Sequence, residues 1–67
     1  MEIVFRSKHT SSEVVTELPF LPVVGHIVFL FFSCEQKESY EYRVTEVIYS
    51  LDVDDNLIVI IVEVEAV

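Results

Sequence analysis

The chain has 67 residues, 52% of them hydrophobic, and a formal charge of −8 from 12 Asp and Glu against 4 Lys and Arg. A chain of this length and composition is one small domain, residues 1 to 67, and not a disordered tail. The acidic excess argues against direct nucleic-acid binding, which needs Lys and Arg to neutralise phosphates, and against docking on an anionic membrane surface.

Cys34 is the single cysteine and has no internal disulfide partner, which fits a reducing, cytoplasmic setting. The opening residues lack a basic segment followed by an apolar run, so no signal peptide is expected. Thirteen Val, six Ile and three Thr stand against one Ala, which biases the whole chain towards strands.

Residues 2 to 8 alternate, with Ile3 and Phe5 on one face and Glu2, Val4, Arg6 and Lys8 on the other. That is the period of a half-buried strand. Residues 9 to 12 are polar and form a turn. Residues 13 to 18 read in two ways. As a strand they fold back on residues 2 to 8 as a hairpin. As a short helix near residues 11 to 18, Thr10 and Glu13 make a capping box and Val14, Val15 and Leu18 an apolar stripe. The adjacent valines favour the strand.

Pro19 and Pro22 lack the ladder donor, so residues 18 to 22 form an extended connector. A turn at residues 22 to 25 follows, with Gly25 supplying positive φ. The strand from His26 to Phe32 has no polar alternation, so both of its faces are expected to be covered. Its apolar stretch is far shorter than the roughly 20 residues of a membrane-crossing helix. Residues 33 to 39 are expected to form a solvated hairpin loop.

In residues 40 to 50, Tyr40, Tyr42 and Val44 share a face, but Val47 and Tyr49 fall out of phase with them. One extra residue near Thr45 or Glu46, a β-bulge, restores the apolar side. Residues 52 to 56 form an acidic turn. In the last strand Ile58, Ile60, Val62 and Val64 form the inward row. Phe5, Val28, Val44, Ile58, Ile60 and Val62 are therefore expected in the core. The expected architecture is all-β, a small barrel or strongly curved antiparallel sheet of about five strands.

Leu18-Pro19, then Pro22-x-x-Gly25-x-x-Val28, then Tyr42-x-Val44-x-x-Val47-x-Tyr49 and a late Ile/Val-rich strand resemble the small SH3-like β-barrel proteins of bacteria and phages. The resemblance covers residues 18 to 64. It implies an SH3-like fold and no activity. An acidic residue often follows the glycine in that group, and here the position is His26.

No catalytic, cofactor or metal site emerges. Asp52, Asp54, Asn56 and Glu63 match positions 1, 3, 5 and 12 of a calcium loop, but Leu57 stands where the sharp turn requires glycine. His9 and His26 have no ligand spacing with each other or with Cys34. No basic cluster lies near Cys34 in sequence to activate it. Tyr40, Tyr42 and Tyr49 are either a peptide-binding aromatic surface or edges of the core.

The acids are uneven. Nine of the twelve follow residue 34. Glu41, Glu46, Asp52, Asp54, Asp55, Glu63 and Glu65 are the candidate protein-binding residues, with a basic protein surface as the expected partner. The expected function is a non-catalytic protein-interaction module. Two other readings stand beside it. One is an antagonist of a nucleic-acid-binding protein, with carboxylates in place of phosphates. The other is a structural subunit that works as an oligomer, since Leu57, Val59 and Ile61 are also apolar and a homodimer would cover them.

Overall fold

The computed structural model describes residues 1–32 and 40–67. It contains five strands: β1 (Glu2–Ser7), β2 (Glu13–Glu17), β3 (Ile27–Leu30), β4 (Tyr40–Leu51) and β5 (Leu57–Ala66). They form one mixed sheet in the order β2-β1-β5-β4-β3, curled into a half-barrel. The loop expected at residues 33 to 39, with Cys34, lies outside the described residues.

Residues 13 to 17 are a strand and not a helix, and they pair with β1 through Arg6 opposite Glu13 and Glu2 opposite Glu17. One pairing departs from the expected antiparallel sheet. β1 runs parallel to β5, with Val4 opposite Ile61 and Ser7 opposite Val64. A parallel pair needs a long connection between its strands, and here almost the whole chain intervenes.

The core lies on the concave face. Ile3, Phe5, Leu30, Val44, Ile60, Val62 and Val64 are buried. Leu18 and Leu21 of the proline connector pack against them, with Val14, Val28, Phe32, Tyr42 and Val47. The rings of Phe32 and Tyr42 meet edge to face, with centroids 5.1 Å apart. Full burial of a Phe or Ile side chain contributes roughly 1.5–3 kcal/mol.

The expected bulge in β4 is present. Val44 pairs with Val64 and Glu46 with Glu63, so Thr45 is the extra residue. Its Oγ1 donates a 3.2 Å hydrogen bond to the Glu63 carbonyl. The bulge keeps both Val44 and Val47 on the inner side, where Val47 faces Val62. A second bulge corrects the core expectation. Ser50 pairs with Val59 but Leu51 with Leu57, which takes Ile58 out of the alternation. Ile58 is 65% exposed and not part of the inward row. Val28 is half-buried at the core margin.

The glycine turn falls one residue later than expected, on Val23, Val24, Gly25 and His26, closed by the His26 amide donating to the Val23 carbonyl at 2.9 Å. Gly25 has φ +94°, while a Cβ placed there would meet nothing within 4 Å. The backbone angle, not space, is what asks for glycine. The Gly25 amide then donates to Val44 at 2.8 Å, which anchors the entry of β3 on β4. The outer side of β3 is open, contrary to the expectation of two covered faces: Ile27 and Phe29 are both exposed.

Candidate protein-interaction surface

Strand register places residues in rows across the convex outer face, because residues directly opposite one another share a face. Val15, Val4, Ile61 and Ile48 are successive neighbours across β2, β1, β5 and β4. They form an apolar row four strands wide. Val15 is 58% exposed, and the other three are half-buried among their neighbours.

A charged row flanks it. Glu13, Arg6, Glu63 and Glu46 are likewise successive neighbours across the same four strands. The Arg6 guanidinium lies 3.1 Å from Glu13 Oε2 and 3.7 Å from Glu63 Oε1. Glu46 stands directly opposite Glu63, a like-charge pair that Arg6 offsets from the far side. One row further, Glu65 faces Arg43, and Arg43 faces Ile27 of β3.

The turn between β4 and β5 is held by its own groups. Asp52 Oδ1 accepts the amides of Asp54 at 2.8 Å and Asn56 at 2.9 Å. The Asn56 amide first, and that of Asp54 second, hold the Asp52 carboxyl below its ordinary value. Asp55 adopts φ 62°, a left-handed conformation that Asp and Asn tolerate.

The seven candidate carboxylates thus fall into two groups. Glu41, Glu46, Glu63 and Glu65 lie on the outer side of β4 and β5, with Arg6 and Arg43 among them. Asp52, Asp54 and Asp55 lie in the turn, exposed. From Glu46 to the turn is about 15–20 Å of strand, beyond the ~8 Å screening length of physiological salt. The Ile48 and Ile61 pair lies in between. Among the candidate acids, Glu63 of the calcium pattern faces Arg6 on the sheet, away from the turn. His26 Nδ1 accepts the Val23 amide at 3.3 Å. Of the tyrosines, Tyr42 packs at the core margin, whereas Tyr40 and Tyr49 are exposed.

The acids are legible in the sequence and the apolar row is not. Alternation assigns Val4, Val15, Ile48 and Ile61 to outward positions, but only register shows that they are neighbours. No group of three or more metal-ligating side chains and no pocket is found among the described residues. No helix among the described residues is long and apolar enough to cross a membrane. Comparison with protein-family models, curated proteins and solved structures gives no match.

Proposed function

We propose that the chain is a non-catalytic protein-interaction module of the cytoplasm, its half-barrel of the SH3-like type. The observation that carries this reading is the outer row of Val15, Val4, Ile61 and Ile48, bordered by Glu13, Arg6, Glu63 and Glu46. An open apolar strip with a charged border has the character of an interface centre and rim. Arg6 and Arg43 lie among the acids, which favours protein binding over mimicry of phosphates, since a phosphate run carries no intervening cation.

The test is capture of a host protein from cytoplasmic extract by the tagged full chain, with untagged chain as competitor. A partner retained by the wild type and lost with Val15→Ser plus Ile48→Ser supports the reading, provided circular dichroism shows the variant folded. Equal retention by that variant overturns the outer row as the interface.

A structural oligomer is the second reading. It is favoured by the same row, because Arg6 beside Glu13 and Glu63 gives the border both charges and lets it complement a second copy. A mass of twice the monomer in sedimentation equilibrium at micromolar concentration, lost with Val15→Ser plus Ile48→Ser, selects it. A monomer removes it.

A further inference from the structure

The β4–β5 hairpin runs past its neighbours. β1 pairs with β5 only between Ile61 and Val64, and β3 pairs with β4 only between Tyr40 and Arg43. No described strand flanks residues 49 to 59. The inner row nevertheless continues outward as apolar residues: Val47 opposite Val62, Tyr49 opposite Ile60, Leu51 opposite Leu57. Its members change from buried at Val62 and Ile60 to about half exposed at Tyr49, Leu51 and Leu57. Ile58 stands out at the bulge, and Val53 at the turn is 99% exposed.

These five side chains do not belong to the core. β-Propensity accounts for Tyr49 and Ile58, which lie in strands, but not for Val53 in the turn or for Leu51 and Leu57, which are neither β-branched nor aromatic. Leu51 and Leu57 face each other across the hairpin, but neither is part of the core. Beside them lie Asp52, Asp54 and Asp55, all exposed. From Val44 to Val67 there are six acids and no Lys, Arg or His. The tip is therefore apolar and of one sign, unlike the outer face, where Arg6 and Arg43 interleave with the acids.

Charge selects the occupant. A second copy docking tip to tip would bring six aspartates together, and an anionic lipid surface would be repelled. A polypeptide segment that offers apolar side chains alternating with Lys or Arg satisfies both halves of the tip: the apolar row and the carboxylates at its end. We infer that the β4–β5 tip, through Tyr49, Leu51, Leu57 and Ile58 with Asp54 and Asp55, docks a basic amphipathic segment of a partner protein. This rests on the interaction-module reading and adds to its outer row a second contact, at the tip, with the chemistry of the segment that the tip takes.

The test uses the full chain, isotope-labelled, with three synthetic nine-residue peptides: alternating Leu and Lys, alternating Leu and Glu, and alternating Ser and Lys. The Leu–Lys peptide should shift the amides of residues 49 to 58 and bind at least about tenfold more tightly than either control, because both the apolar and the charged contact are needed. Leu57→Ser with Ile58→Ser should weaken it about tenfold. Asp54→Asn with Asp55→Asn should slow association more than it speeds dissociation, and raising salt from low to physiological strength should do the same.

Several results overturn the proposal: equal binding of the Leu–Glu peptide, shifts confined to Val4, Val15, Ile48 and Ile61, no shift with any peptide, or tip amides that move with the chain's own concentration. A host partner retained equally by the Leu57→Ser, Ile58→Ser variant overturns the tip while leaving the interaction-module reading in place. A wild-type chain that captures no host protein overturns both.

Discussion

The two ends of the β4–β5 hairpin are built from the same kinds of residue and meet opposite fates. At the end near Val44 and Val64, β1 lies against β5 and β3 against β4, and the inner side chains are buried. At the tip the strands run on as a two-stranded ribbon, and Tyr49, Leu51, Leu57 and Ile58 are exposed. A residue's place in an alternating pattern says which face it takes. Whether anything covers that face depends on how far the neighbouring strands reach.

The sharpest way to break the comparison is to strike the covered end. Phe5→Ala should cost about 3–5 kcal/mol, because Phe5 is among the largest fully buried side chains. A domain of this size has roughly 5 kcal/mol or less in total, so urea denaturation should find the variant largely unfolded. If its midpoint lies near that of wild type, the concave face is not where the core sits.

A paired substitution within β5 then sharpens it. Ile60→Ala should cost about 2–5 kcal/mol, and Ile58→Ala, two residues away, no more than about 0.5 kcal/mol. The sequence presents these two isoleucines as equals on one inward row. Equal losses in urea midpoint would mean that the second bulge does not exist in solution.

That pair also shows how much could be read without the structure. Composition and alternation carried four of the strands, β2 as the favoured of two readings, the inward face of β1, a bulge near Thr45 or Glu46 and the acidic turn. The β4 bulge was legible because Val44 and Val47 are both apolar and need the same side. The bulge at Ile58 was not, because residues 57 to 62 are all apolar and any register looks equally good. The parallel pairing of β1 with β5 was hidden for another reason. It joins the two ends of the chain, and no local pattern reports which strand lies next to which. The outer apolar row depends on that pairing and was invisible with it.

Smaller effects probe the boundary between the two ends. Thr45→Val removes the hydroxyl that donates to the Glu63 carbonyl and keeps the shape, so it should cost about 0.5–1.5 kcal/mol. No change in chemical-denaturant stability would mean that backbone geometry alone fixes the bulge. Arg6→Gln should cost less than about 1 kcal/mol, since both of its ion pairs are partly exposed. It leaves Glu46 and Glu63 opposed without their cation, so the gap in melting temperature to wild type should narrow in molar salt, where the screening length is about 3 Å. A gap that widens with salt would count against the charged row.

The smallest expected effect lies at the uncovered end. With no described strand to brace it, the turn draws on its own side chain. Asp52 accepts two turn amides, and its carboxyl is held low by the Asn56 amide first and the Asp54 amide second. A folded-state value below the unfolded one means that the ionised form favours folding. That contribution is fully present above the ordinary aspartate value of about 3.9 and is lost as pH falls through the lower folded value. Asp52→Asn keeps an acceptor of the same shape but removes the charge. The melting temperatures of wild type and Asp52→Asn should therefore differ by a small, constant amount from neutral pH down to about pH 5, and converge below about pH 4. Scanning calorimetry on both chains across that range is the measurement. A constant gap into strong acid would show that the charge of Asp52 has no part in holding the turn that presents Asp54 and Asp55.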